Sequence, residues 1–446
     1  MADRLAAVAI ALVIVSGTAR SADSVALHVD CELGSDALGD GTVERPWQTP
    51  LRARDAVRAM QPLQAHVDVF LAGDCVPRRQ GGQVDFALPL LELEGQQDSG
   101  THSAQISYRS YPGQAKARLL SGRVVQPSAW KRVGSSPIFA LNLTELGIDS
   151  SFFGGFQRPS CTSGDGLGQC LSHQMELFYD GEAMTLARYP NLRFENGSHT
   201  LPQARWARIA EVTDAQRAFV TDDVRALRWA AEPDGWLHGY WGFDWADSHL
   251  PIRGVHQAKP ARNSTAVRAR ISVAAPVLYG FKPGAKFYGV NLRCELDAPG
   301  EYYVDKPNSE LLFWPPSRIN GPLSGEAVLS LGDFGVMLGG SSRQLSAALD
   351  SGEKRLRGAG EEDGVERSLG CEGCDRSDGF GKYMEGQHVR VSRLQSAAAQ
   401  QGVRRGWSWG GVSYVQLVGL DVMYQRRSAV VVVGGKNITL DRVTVV

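Results

Sequence analysis

The chain lacks the short signatures that would settle its chemistry at once. It contains no H-E-x-x-H, no G-x-S-x-G elbow, no Walker loop and no dinucleotide fingerprint, so the common zinc, serine-hydrolase, nucleotide and Rossmann chemistries have no foothold in it. A charge excess of either sign is also missing. Its 47 Lys and Arg against 48 Asp and Glu leave a net charge of −1 over 446 residues, which supplies no global field to draw in nucleic acid or an anionic membrane. The apolar run near the N-terminus, residues 5–15, is too short to span a bilayer, and no second run of spanning length follows. His28, His238, His249 and His256 show no metal-ligand spacing, so neither a metal nor a cofactor is expected.

What is present starts with a leader. Residues 1–22 read as a secretory signal: Arg4 supplies the positive start, residues 5–15 are apolar, and Gly17-Thr18-Ala19 offers a small-residue cleavage site. The alternative is an uncleaved anchor. A secretory or extracellular destination follows, and it permits disulfides. Of the seven cysteines, Cys31 with Cys75 and Cys161 with Cys170 are candidate pairs, and one thiol is left over in any scheme. Cys371-Glu372-Gly373-Cys374 is a lone C-x-x-C without a second ligand pair, which speaks against zinc. Asn142, Asn196, Asn263 and Asn437 head glycosylation sequons.

The C-terminal residues 389–446 carry an internal repeat. Val415, Leu417, Leu420 and Val422 recur with unchanged spacing as Ile438, Leu440, Val443 and Val445, and Val389, Val391 and Leu394 precede the first three at a slightly greater distance. Apolar residues spaced by two and three, with the β-branched Val430, Val431, Val432 and Val433 between the copies, give short strands separated by bends. A period in the low twenties predicts a parallel β-solenoid whose coils stack at about 4.8 Å and bury a shared core. A sandwich with accidental spacing is the alternative.

Near the N-terminus, Thr49 is a good N-cap and Pro50 suits the first helical position, while Ala53, Ala56, Val57 and Met60 share a face. A helix there would cover the open end of a solenoid. The loops Gly34-Ser35-Asp36 and Asp40-Gly41-Thr42 are read as turns in preference to a calcium site.

A resemblance joins these parts. The segments GSD, GDGTVERPWQTPLRARDAV and LELEGQQDSGTHSAQISYRSYPGQAKARLLSG look like the opening of secreted right-handed parallel β-helix proteins. Those belong to the pectate-lyase-like superfamily, in its carbohydrate-active, glycoside hydrolase-like branch. ELFYDGEAMTLARYPN, GYWGFDWADS and NLRCELDAPGEYYVDKPNSELLFWPP are similar to an inserted β-rich region found in many of them. The resemblance implies an all-β fold: a right-handed parallel β-helix with an N-terminal capping helix and an inserted β-rich domain. The expected layout is a signal at 1–22, cap and first coil at 23–127, insertion at 128–318, return strands at 319–340, a charged Gly-rich loop at 341–387 and further coils at 388–446. It also implies action on polysaccharide, most simply as a glycoside hydrolase. A lyase on uronate-containing glycans and a non-catalytic glycan-binding or surface scaffold protein stay open. A monomer is expected, with no nucleic-acid partner and no membrane association after signal cleavage.

Sugar cleavage calls for a pair of carboxylates. The candidates are Asp421, outward by alternation, and Glu295, Asp297 and Glu301 around a Pro-Gly turn; solvation of the first and turn-locking by the others are the competing readings. Trp241, Asp244, Trp245 and Asp247 form the densest aromatic-acid cluster, a glycan platform unless the aromatics are core. Arg426 and Arg427 are further binding candidates. Because the apolar coils run to Val446 without a polar cap, the sequence reads as an incomplete or degenerate copy whose catalytic coils are missing, and no hydrolase turnover is expected from it.

Overall fold

The computed structural model describes residues 24–79, 82–154, 156, 174–191, 206–260, 265–317, 319, 321–340, 391–393, 411–432 and 434–446. The leader, Cys161, Cys170, Cys371, Cys374, Asn196, Asn263 and the charged stretch at 341–387 lie outside the described residues. Within them the chain is mostly β, and α-helix is confined to Pro50–Ala59.

Three parallel sheets form one body. The first sets Ser24–Asp30, His66–Ala72, Ile106–Ser110, Ser413–Val418 and Lys436–Asp441 side by side, all parallel. The second runs Asp74–Cys75, Arg118–Leu120, Asp421–Met423 and Thr444–Val445. The third runs Leu91–Leu93, Phe334–Leu338, Ser428–Val432 and Val391–Arg393. Consecutive described strands of the body mostly fall in different sheets, except Ser24–Asp30 with His66–Ala72 and Phe334–Leu338 with Val391–Arg393, and alternation within a strand decides what it buries. In His66–Ala72, Val67, Val69 and Leu71 are buried while Asp68 and Phe70 are not. Val69, Leu119, Val422, Leu91, Val336 and Val430 from all three sheets join a single apolar cluster.

The helix closes onto the same cluster through Ala53 and Val57. Thr49 Oγ1 accepts the Arg52 amide at 3.1 Å and donates to Asp36 at 2.7 Å, while Asp36 Oδ1 accepts the amides of Gln48 and Thr49. Asp40 likewise accepts the amide and hydroxyl of Thr42. Both acidic loops therefore spend their oxygens on turn and cap hydrogen bonds. Cys31 and Cys75 are disulfide-bonded and buried, joining the ends of two strands in different sheets.

The register carries a correction. Val415 lies opposite Ile438, Leu417 opposite Leu440 and Val422 opposite Val445, the same pairs that the repeat relates. Val391, however, pairs with Val430 in the third sheet and has no place beside Leu417, to which the repeat relates it, while Val389 and Leu394 lie outside the described residues. Ser413–Val418 already has Ile106–Ser110 on one edge and Lys436–Asp441 on the other, so its backbone donors and acceptors are taken. The free edge of Ser428–Val432 receives the earlier strand instead.

Between Arg118–Leu120 and Phe334–Leu338 the chain leaves the body. It goes out through Gly122–Val125 and comes back through Ala327–Ser330, an antiparallel pair with Val125 opposite Ala327. Ala327–Ser330 thus belongs to the excursion, and only Phe334–Leu338 returns to a parallel sheet. Among the described residues the excursion holds apolar clusters around Phe139, Tyr302 and Phe313, which Phe86 of the body joins, around Phe219, Trp229, Trp241 and Phe287, and around Tyr303 and Leu312. Leu120 and Tyr424 of the body pack against Phe178 and Val328 of the excursion, and Arg426 and Arg427 both reach Asp333 across the junction.

Candidate functional site

The three acids around the Pro-Gly turn are brought together, but as a lock. Glu295 is fully buried; its Oε2 accepts Arg225 Nε at 2.8 Å and its Oε1 accepts Trp229 Nε1 at 2.8 Å. Asp297 shares Arg225 and accepts Asn191 Nδ2 at 2.8 Å. Glu301 Oε2 accepts the amides of Asp297 and Ala298, both at 3.1 Å, and burial nevertheless pushes its carboxyl up to about 7. Burial closes Glu295 and Glu301 to a leaving-group oxygen, and Asp297 is spent on Arg225 and Asn191.

Asp421 has company the sequence pattern did not reveal. By register Asp74, Arg118, Asp421 and Thr444 form one row across the second sheet. Arg118 holds Asp74 at 2.7 Å and Glu326 at 2.9 Å, and Lys116 Nζ contacts Asp421 at 3.1 Å and Thr444 Oγ1 at 2.8 Å. Arg426 and Arg427 are nearly covered, both ion-paired to Asp333, and Arg426 also donates to the Phe152 carbonyl at 2.8 Å. They clamp the junction and present no open guanidinium. The two described sequons, Asn142 and Asn437, are exposed.

The aromatic-acid cluster divides. Trp241 is 1% exposed in the excursion's core and donates Nε1 to Ser248, so its rings offer no open face. Trp245 is 63% exposed, and with Phe243 and Tyr279, both 46% exposed, it makes an open aromatic tip. Phe243 and Trp245 stack at 5.3 Å and 17°, and Tyr279 meets each edge-on at 5.3 and 5.6 Å. The tip joins the loop after Trp236–Tyr240 to the loop after Arg268–Val273. Gly242 makes the contact possible, since a Cβ there would lie 2.8 Å from the Tyr279 carbonyl oxygen. Buried Trp241 and Ala246 root the loop at both ends, and Asp244 stands exposed between Phe243 and Trp245.

Just inside the tip lies a sheet face of which only Asp247 was a binding candidate from the sequence. Arg208, Lys286, Tyr240 and Asp247 are successive cross-strand partners, as are Tyr288, His238 and His249 in the next row. Partners share a face, so two ladders run side by side. Trp206 covers them, with ring centroids 5.3 Å from Tyr288 and 5.8 Å from Tyr240. His238 Nε2 meets Asp247 Oδ2 at 2.9 Å, and the rings of His238 and His249 lie 4.5 Å apart. Burial first, and His238 second, hold the His249 imidazole well below its ordinary range, so it is neutral. Lys286 Nζ lies over Tyr240 at 4.4 Å and over Trp206 at 5.4 Å. The legible signal was the period-two run Trp236, His238, Tyr240, opposed to buried Leu237 and Gly239.

Among the described residues no three His, Cys, Asp or Glu side chains are grouped to hold a metal ion. A separate cleft lined by Arg132, Ser136, Pro137, Trp314, Pro315 and Pro316 contains one ionisable described residue, Arg132.

No family model matches the chain, and no curated protein matches it. Two solved structures are similar to it. A structure titled "Glycoside hydrolase" has a TM-score of 0.47 at 16% identity, covering 70% of this chain and 47% of that one. "The complex structure of XylC with xylose" has a TM-score of 0.32 at 10% identity, covering 91% of this chain and 36% of that one. The chain therefore spans about half the length of the first and about a third of the second.

Proposed function

We propose that this protein is a secreted right-handed parallel β-helix protein whose inserted β domain binds polysaccharide at the tip formed by Phe243, Trp245 and Tyr279. The observation that carries this reading is the exposure of three mutually contacting aromatic rings beside a carboxylate. Large aromatic rings left in water give up the burial that stabilises a fold, so an ordered exposed set points to a partner. Pyranose rings present apolar C–H faces that stack on such rings, and their hydroxyls donate to a carboxylate such as Asp244. The body, in this reading, is the coil stack that the three parallel sheets and their shared core support, entered through the secretory route and acting as a monomer.

The test is affinity electrophoresis of the full chain against a panel of plant and algal polysaccharides. Trp245→Ala and Tyr279→Ala should each weaken retention about tenfold, with the melting temperature unchanged. Retention by no polysaccharide, or equal retention of both variants, sinks the proposal.

Hydrolysis is the second reading, favoured by the outward row in which Asp74 and Asp421 flank Arg118. Two strand spacings put such carboxylates about 9.5 Å apart, at the upper end of the range an inverting hydrolase uses. Release of reducing ends that is lost in Asp421→Asn and in Asp74→Asn would establish it.

A further inference from the structure

We infer that the polysaccharide taken by the insert is anionic, and that Arg208 and Lys286 hold its carboxylate or sulfate group; this rests on the binding reading above. The two residues are Cα partners on adjacent antiparallel strands, so their side chains emerge together on the ladder face beside the aromatic tip. Neither has a carboxylate within ion-pairing distance among the described residues. Arg225, Arg268 and Lys306 of the same insert are each paired, with Glu295, Glu211 and Asp234 in turn. Like charges placed directly opposite each other across two strands repel, and an anion between them removes that repulsion.

The pair is also pre-positioned. Lys286 is held over the rings of Tyr240 and Trp206, and Arg208 donates one Nη1 hydrogen to the Gly284 carbonyl at 2.9 Å. That single bond leaves most of the guanidinium fork for a carboxylate or sulfate oxygen, a geometry Arg binds in bidentate fashion. The acid in the same row, Asp247, lies two strands from Lys286 and contacts His238 Nε2. The rings of Tyr240 and Trp206 are engaged by Lys286, so a saccharide that sets its charged group on the pair finds open aromatic faces at the neighbouring tip. Asp244 is on the tip beyond this row, where its exposed carboxylate can accept sugar hydroxyls.

The experiment is isothermal titration of the full-length protein with polygalacturonate, with dextran sulfate and with carboxyl-reduced polygalacturonate. At least one anionic polymer should bind about tenfold or more tighter than the reduced one, with affinity falling as salt rises and screens the pair. The preferred polymer distinguishes carboxylate from sulfate. Arg208→Gln with Lys286→Gln should abolish the preference, while the charge-keeping Arg208→Lys with Lys286→Arg retains most of it, and thermal melts establish that both are folded. If the reduced polymer binds as tightly as the anionic ones, or the Gln double variant keeps the preference, the inference is overturned and glycan binding stands. If no polymer binds, both readings fall together.

Discussion

Glu301 and Trp241 illustrate how one environment reassigns a residue's role. Glu301 is 3% exposed and its carboxyl is pushed up to about 7 by burial, against a reference near 4.5. Between those values the folded protein keeps a proton that the unfolded chain releases, so the unfolded state binds fewer protons and stability falls as pH rises through that window. The loss amounts to about 3 kcal/mol at most. Glu301→Gln retains an acceptor for the amides of Asp297 and Ala298 but carries no titrating proton. Urea denaturation at pH 4 and pH 8 should therefore show the variant gaining about 2–3 kcal/mol on the wild type between the two, and a constant difference would rule this out. In the same insert Trp241 and Trp245 sit close together in an aromatic-rich loop, and their sequence surroundings do not distinguish them. The side chain of one fills the cluster with Phe219 and Phe287, and the other stands in water.

Strands are legible at the scale of the element because alternation is a local property. Val67, Val69 and Leu71 announce their inward face, and the apolar residues that the repeat relates sit opposite one another in the first and second sheets. The pairing of Val391 with Val430 was not legible, because spacing says nothing about which edges are already hydrogen-bonded. The disulfide acts at this scale too. Cys31 follows the first strand and Cys75 ends the short strand of the second sheet, 44 residues on. Closing a loop of that length restricts the unfolded chain by about 4 kcal/mol in the entropic description. Both sulfurs are buried, so Ala leaves no thiol to solvate. The Cys31→Ala, Cys75→Ala double variant should lose about 2–4 kcal/mol in a denaturant titration, and an unchanged midpoint would show that the helix and Trp47 alone secure this end.

At the scale of the whole molecule, the contacts between the body and the insert include a small apolar cluster, the Arg118–Glu326 ion pair and a clamp at Asp333. Asp333 is the shared partner of Arg426 and Arg427, both about nine-tenths covered. Removing its charge leaves two cations beside each other in a poorly solvated place, where burial already lowers the affinity of Arg426 for its proton. Asp333→Asn should cost about 3 kcal/mol, read as a lower melting temperature of the full chain. If that variant melts like the wild type, the clamp contributes little and the junction rests on its other contacts, the Leu120, Phe178, Val328 and Tyr424 cluster and the Arg118–Glu326 pair among them.

Composition, spacing and alternation were enough to specify short strands and a capped helix at Thr49, since each depends on neighbours a few residues away, whereas the inserted β region was implied by the resemblance. They did not specify the ladder of Arg208, Lys286, Tyr240 and Asp247. Its members come from four strands that are not all consecutive in the chain, and only pairing across the sheet makes them neighbours. Nor did they decide which acids are free. Glu295 is closed off by Arg225, a partner distant in sequence, and Asp421 is flanked by Arg118, which the chain contributes before it leaves for the insert. A side chain's chemical type is written in the chain, whereas its availability depends on what long-range packing has already placed against it.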